Sequence, residues 1–174
     1  MKFRTAAYDD HQKIKELYQR VAAVPGGIAR EASEITDEYV DTFLRNSIEH
    51  GLIIVAEHPE DNTRIIAEIH GYKSSIKIFQ HVISQVTIVV DPAFQGKKLG
   101  KTIFTIFQEE VAVNHGDIGR VELFTRESNA KALKFYQSIG FVIEGRFEMR
   151  IKNSDGTYEA DIPMAWQNPN FDFD

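Results

Sequence analysis

Val86-Thr87-Ile88-Val89-Val90, then Asp91-Pro92-Ala93-Phe94, then Gln95-Gly96-Lys97-Lys98-Leu99-Gly100-Lys101-Thr102 is the stretch whose reading decides the fold. The first five residues are all β-branched and read as a strand. Asp91-Pro92 ends it, because proline cannot donate to a sheet ladder. Ile103, Phe104, Phe107 and Val111 then keep helical spacing and form a buried stripe. The segment between is a turn feeding a helix N-terminus, where unpaired backbone N–H groups and the positive dipole end meet. Gly96 and Gly100 let backbone approach a ligand, and Lys97, Lys98 and Lys101 add positive charge. That combination suits a phosphate or pyrophosphate. A lysine-rich, solvated helix start is the alternative.

Two nucleotide-binding patterns fail here. A P-loop places four residues between its first glycine and Gly-Lys-Thr. Gly96 and Gly100 enclose three, and no later strand offers an obvious magnesium carboxylate. The dinucleotide fingerprint lacks its third glycine.

Outward from this turn, the pattern alternates between strand and helix. Lys2 to Ala7 reads as a first strand. Ile14, Leu17, Tyr18 and Val21 mark a helix capped by Asp9 or Asp10 and broken at Val24-Pro25-Gly26-Gly27. A second helix starts near Thr36, with Tyr39, Val40, Phe43 and Leu44 on one side and Gly51 at its end. Leu52 to Glu57 and Arg64 to Tyr72 form a hairpin around His58-Pro59-Glu60-Asp61-Asn62. Phe79 to Val90 reads as one long strand. After the helix from Leu99 to Val113 come a strand, Val121 to Thr125, and a helix, Asn129 to Ile139, stopped by Gly140. Phe141 to Lys152 and Tyr158 to Trp166 pair around Asn153-Ser154-Asp155-Gly156. The expected order is β-α-α-β-β-β-α-β-α-β-β, a mixed α/β class. With no repeat, low-complexity stretch or linker, residues 1–174 read as a single domain.

Composition narrows the class. The chain has 174 residues, enough to bury a real core, and an ordinary apolar fraction of 43%. It has no cysteine, which excludes disulfides, thiolate zinc sites and a cysteine nucleophile. No metal site is expected. A formal net charge of −6 speaks against nucleic-acid binding and allows steering of cationic substrates. No apolar run approaches a membrane span, and the N-terminus shows no signal core, so a cytoplasmic location without membrane attachment is expected.

A second constellation is Asn129-Ala130-Lys131-Ala132-Leu133-Lys134-Phe135-Tyr136-Gln137-Ser138-Ile139-Gly140-Phe141. Asn129 and Tyr136 stand two helical turns apart and share a face, with Ala132 and Leu133 between them. A small residue there leaves room for an elongated ligand. The plain alternative is a helix cap and a core aromatic.

Together the two stretches resemble the GNAT superfamily of N-acetyltransferases. The family signature is Gln or Arg, two residues, Gly, one residue, then Gly or Ala, following a strand that ends in Val-x-Pro. Val90-Asp91-Pro92 matches the strand end, and Gln95 and Gly100 match the outer signature positions. Lys98 occupies the inner glycine position. Backbone N–H groups do the binding, so a lysine serves there if its φ is negative and is strained if φ is positive. The resemblance covers nearly the whole chain, and Glu144-Gly145-Arg146 and Asp161-Ile162-Pro163-Met164 look like the ending of small-amine and ribosomal-protein acetyltransferase branches.

The resemblance implies acetyl-CoA as cofactor, contacted by Ile88, Val89, Val90, the turn Gln95, Gly96, Lys97, Lys98, Leu99, Gly100, Lys101 and Thr102, and by Asn129, Ala132 and Tyr136. An amine attacks the thioester directly, through a tetrahedral intermediate. Val89 supplies the backbone N–H for the oxyanion and Tyr136 protonates the departing thiolate. A base must take the amine proton. The strand before the turn carries no acid, whereas Glu68 and His70 on the preceding strand share one side, and His81 is a further candidate for the same cleft. Glu68 is the leading candidate base. The alternative is that these polar residues form a strand's solvent face. Arg30 and Glu31, between the first two helices, are candidates for a substrate carboxylate and a second amine, or are exposed charges.

The resulting expectation is an acetyl-CoA-dependent N-acetyltransferase acting on a primary amine of a small molecule. Its rivals are a protein N-terminal acetyltransferase and a non-catalytic acyl-CoA sensor. The aromatic tail, Asn168 to Asp174, packs either on a partner chain, as in a homodimer, or on its own sheet.

Overall fold

The computed structural model describes residues 1–24 and 26–173. Pro25, in the expected helix breaker, and Asp174, at the end of the tail, lie outside the described residues. The chain gathers into two compact units: Met1–Tyr72 with Thr87–Glu110, and Lys73–Val86 with Val111–Asp174. The fold class is the expected mixed α/β, realised as a mostly antiparallel sheet with helices.

In the first unit, strand β1 (Phe3–Thr5) pairs antiparallel with β2 (Gly51–Glu57), and β2 with β3 (Ile65–Lys73). Strand β4 (Val82–Val90) lies beside β3. Helix α1 (His11–Ala22) forms because Ile14, Leu17, Tyr18 and Val21 recur on one face, and each is at most 1% exposed. Helix α2 (Asp37–His50) is capped by Thr36, whose Oγ1 accepts the Tyr39 N–H at 3.1 Å. Such a cap contributes about 1 kcal/mol. The two helices bury Ile14, Leu17, Tyr18, Val40, Phe43 and Leu44 against Ile53, Val55 and Val89. Strand β3 is buried continuously from Ile65 to Gly71. The alternative of a solvent face at Glu68 and His70 is therefore not realised, because α1 and α2 cover that side of the strand.

The long strand expected from Phe79 begins at Val82. Lys77–Phe79 forms a 3-10 turn that leaves Ile76, Ile78 and Phe79 exposed. Within β4, Gln85 adopts φ 56 and is exposed, interrupting the alternation between buried Val82 and Ile83 and buried Val89. Helix α3 (Leu99–Asn114) follows the turn, burying Leu99, Ile103, Phe104, Phe107 and Val111.

In the second unit, the start of β4 pairs in parallel with β5 (Arg120–Arg126), at Val82–Arg120 and Ile83–Val121. Strand β5 runs antiparallel to β8 (Tyr158–Gln167), with Leu123 opposite Met164. Helix α4 (Ala130–Ser138) ends before Gly140, whose φ is 94. The expected strand Phe141–Lys152 is two strands, β6 (Val142–Ile143) and β7 (Phe147–Lys152), both paired with β8. The break falls where Glu144 donates its N–H to the Pro163 carbonyl and sends its carboxylate to Arg120. Beyond β8 the tail folds back on its own chain. Asn168 Nδ2 donates to the Ile118 carbonyl at 2.7 Å, Phe171 packs on Phe173 with centroids 4.7 Å apart, and both rings lie against Gly119.

Candidate active site

The pyrophosphate-type turn is held from below by a buried acid. Asp91 is 3% exposed. Its Oδ1 accepts the Ala93 N–H at 3.0 Å, and its Oδ2 accepts Arg20 Nε at 2.7 Å. Arg20 also donates to the Ile65 carbonyl at 2.9 Å. The end of β4 is thus tied to α1 and β3. Gln95 Nε2 then donates to the Val90 carbonyl at 3.3 Å, and Lys97 Nζ to the Ala93 carbonyl at 3.2 Å. Gly96 has φ 77, and a methyl group placed on it would meet nothing within 4 Å. Gly100 stands over β4: its added methyl would lie 3.6 Å from Val90 Cγ2 and 3.9 Å from Ile88 Cδ1, ordinary contact distances.

Lys98 has φ 63, so the strained alternative is the one realised. Its carbonyl accepts the Thr102 N–H at 3.0 Å and starts α3. Lys98, Lys101, Thr102, Thr105, Ile106 and Glu109 line an open depression of about 410 Å³ on this helix. Open space over Gly96, exposed lysines and the amide-bearing start of α3 fit an anionic, pyrophosphate-bearing cofactor.

The backbone of β4 corrects one assignment. The Asp91 N–H donates to the Ile66 carbonyl of β3 at 2.8 Å. A trans peptide points its C=O and N–H in opposite directions, so the Val90 carbonyl faces away from β3, where Gln95 reaches it. In an extended residue the N–H and C=O share a side. The Val90 amide therefore also faces away from β3, the Val89 amide faces β3, and the Ile88 amide faces away. Val89, expected as the oxyanion donor, spends its amide toward the ladder and its side chain in the core at 2% exposure. The amides turned outward are those of Ile88 and Val90.

Glu68 and His70 are together, as their spacing predicts, and they are buried at 0% and 3% exposure. Tyr18 Oη donates to Glu68 Oε2 at 2.6 Å, and His70 Nδ1 lies 3.0 Å from Glu68 Oε1. Both carboxylate oxygens are occupied, so Glu68 has no oxygen facing solvent or an incoming amine. Burial, with Glu68 beside it, holds the Tyr18 hydroxyl well above the usual phenol range. The His70 ring stacks on Phe43 with centroids 4.2 Å apart and planes within 4°. Tyr18 was legible only as one member of the α1 stripe. Its hydroxyl was the signal, since a buried tyrosine requires a polar partner.

Arg30 lies 4.0 Å above the Tyr39 ring and 3.7 Å from Glu34. Glu31 is exposed, and its backbone N–H donates to Glu34 Oε2 at 2.7 Å.

The remaining candidates belong to the second unit. Asn129 caps α4, its Oδ1 accepting the Ala132 N–H at 3.0 Å, which leaves its Nδ2 as a donor. Tyr136 is half-buried between Phe135 and Phe141, with centroids 5.2 and 5.9 Å away. Burial pushes its hydroxyl up to about 12. His81 stacks beside Phe171 at 6.3 Å, and its carbonyl accepts the N–H groups of Gly119 and Arg120. Its ring is engaged with the tail, while Glu68 and His70 form their cluster in the first unit.

Among solved structures, an acetyltransferase of the GNAT family from Streptococcus pneumoniae is 21% identical with a TM-score of 0.82, covering 95% of this chain and 98% of that one. The ribosomal-protein-S18-alanine N-acetyltransferase of Escherichia coli is 22% identical with a TM-score of 0.74 and covers 99% of each chain. A Salmonella typhimurium structure containing its cofactor acetyl-CoA is 17% identical with a TM-score of 0.73, over 95% and 92%. No curated protein matches the sequence. The family model for the acetyltransferase (GNAT) domain matches residues 49–143, which run from the end of α2 through the turn and α3 to β6. The chain belongs to the GNAT acetyltransferase family, whose cofactor is acetyl-CoA.

Proposed function

We propose that this protein moves the acetyl group of acetyl-CoA to the primary amine of a small molecule by direct attack within a ternary complex. The observation that carries the reading is the turn at Gln95–Thr102, with space over Gly96, outward lysines and Gly100 seated on Ile88 and Val90. These residues would hold the pyrophosphate of the cofactor, and Asn129, through its spare Nδ2, would hold the arm. When bound, acetyl-CoA supplies an activated acetyl thioester.

The chain supplies the rest. The outward amides of Ile88 and Val90 are the donors for a developing oxyanion, in place of Val89. Tyr136 keeps its proton at any ordinary pH and is assigned the proton-donating role at its Oη. Arg30, steadied by the Tyr39 ring, is positioned to receive an anionic group of the acceptor. Acting on acetyl-CoA and small amines, the protein would work in the cytoplasm, where both are found.

The test is direct. Acetyl-CoA should raise the melting temperature while ATP does not, and a panel of amines should release free thiol. Stabilisation by ATP alone would refute the reading. Stabilisation by acetyl-CoA without thiol release from any amine or N-terminal peptide would make the protein a sensor.

A further inference from the structure

Glu68 is closed to solvent, and it organises His70, which is 3% exposed. Two donors converge on its carboxylate, Tyr18 Oη at 2.6 Å and His70 Nδ1 at 3.0 Å. A carboxylate that accepts from both fixes the proton of His70 on Nδ1 and leaves the lone pair on Nε2. Tyr18 Oη, 3.4 Å from the same Nδ1, has its own proton committed to Glu68. Among the described residues, Ser47 Oγ is the one side-chain polar atom both sealed from water and without a partner. Among the described residues His70 has hydrogen-bond partners at Nδ1 alone, so Nε2 is not a sealed, partnerless atom and keeps a narrow opening in a residue that is 3% exposed. The ring cannot swing away, because Phe43 lies flat on it at 4.2 Å and Tyr72 stacks at 6.4 Å.

The surroundings leave this dyad electrically simple. From α1 the titratable neighbour is Tyr18, and from α2 it is Tyr39, which packs on Tyr18 and Phe43. Strand β3 contributes Glu68 and Tyr72, β2 contributes apolar Ile53 opposite His70, and β4 contributes apolar Val89 to the same core. Among the described residues the cation acting on this cluster is Arg30, beyond the Tyr39 ring.

We infer that His70 is the catalytic base, taking the acceptor's proton at Nε2, and that Glu68 and Tyr18 are positioning residues that fix its tautomer and orientation. The inference rests on the acetyl-transfer reading. As the carbon–nitrogen bond forms and the carbon–sulfur bond breaks, an ammonium acceptor gives up two protons. One ends on the thiol, and the other leaves to solvent through Nε2. Glu68 offsets the positive charge on the ring while it carries that proton, the role a buried carboxylate plays behind a histidine base.

The test uses the full chain, acetyl-CoA, and two amine probes, spermidine and an alanine-initiated pentapeptide, read by thiol release. His70→Gln should lower turnover at pH 7 about 100-fold while acetyl-CoA binding stays within about twofold, since a positioned base contributes 10²–10⁴. At pH 10, where an amine of ordinary pKa near 10 deprotonates unaided, the deficit should shrink to about fivefold or less. Glu68→Gln should share that recovery. Nitrogen-15 NMR of labelled histidine in the unmodified protein should show neutral His70 protonated at Nδ1 and bare at Nε2, a readout that needs no variant to fold. A proton on Nε2, a deficit that is the same at every pH, or equal loss of turnover and cofactor binding would each overturn the inference. Absence of turnover in the unmodified protein with every amine would sink the acetyl-transfer reading along with it, while turnover with a pH-independent His70 deficit would sink this inference alone.

Discussion

Replacing Lys98 separates the shape of the cofactor turn from its charge. Lys98 sits at φ 63, in the left-handed region. For an L-residue that conformation costs about 1–2 kcal/mol, and glycine escapes the steric part. Glycine in turn frees the unfolded chain, which offsets about 0.4–1 kcal/mol. Lys98→Gly should therefore stabilise the protein by about 0.5–1 kcal/mol, or roughly 1–4 °C for a chain of this size. Lys98→Ala removes the same charge and keeps the strain, so it should be less stable than the glycine variant by about 1 kcal/mol. Urea denaturation midpoints with a common slope would measure this difference. Calorimetry with acetyl-CoA gives the second reading. Both variants lose one cation, so their affinities should fall together relative to the native protein, and any gap between them reports the turn's shape alone. Equal stability of the two variants, within about 0.3 kcal/mol, would refute a left-handed Lys98.

The other predictions concern what holds the site in place. Asp91→Ala should cost about 2–3 kcal/mol in a urea melt, because it strands Arg20 and the Ala93 N–H. It should also weaken acetyl-CoA binding by loosening the turn. Tyr136→Phe should lower turnover more than acetyl-CoA affinity. Tyr136 has a folded pKa raised to about 12, so the stability it contributes is whole below pH 10 and is lost as pH rises toward 12. Tyr136→Phe should remove that share of the alkaline loss, seen as a flatter melting temperature over that range. Asp10, held low by the Arg4 guanidinium, behaves oppositely. Its contribution is present above the unfolded carboxylate range and lost as pH falls through its lowered folded pKa, so Asp10→Asn should flatten the acid limb of a pH–stability curve. Gly119→Ala would place a methyl 2.7 Å from the Phe171 ring. It should displace the tail and expose it to limited proteolysis.

Much of the fold was readable because its signals are local. The α1 stripe, the helix start near Thr36 and the Asn153–Gly156 turn each depend on a few neighbouring residues, and the structure realises all three. The turn from Gln95 to Thr102 and the helix after it were readable for the same reason. What escaped depends on partners distant in sequence. Glu68 and His70 alternate with apolar residues in a way that suits a solvent face equally well, and only the packing of α1 and α2 over β3 makes them a buried pair. The direction of the Val89 amide is set by which edge of β4 carries the Asp91–Ile66 bond, and no motif encodes that edge. The division of β6 from β7 falls at Glu144, whose partner Arg120 is 24 residues away in sequence.

A left-handed lysine persists where the surrounding structure over-determines it. Before Lys98, Asp91 is bonded to Arg20, and Gln95 is folded back on the Val90 carbonyl. After it, Leu99 is 5% exposed, and Thr102 closes the first turn of α3 on the Lys98 carbonyl. Both ends of the turn are thus anchored in the core of one compact unit, and only the segment between is free to face a ligand. A turn held this way orders little when the cofactor arrives, so less binding energy is lost to loop entropy. The same anchoring explains why a lysine is tolerated at the inner glycine position. The backbone path is imposed by Asp91 and Leu99, and position 98 bears the strain while offering a cation to the anion proposed to bind there.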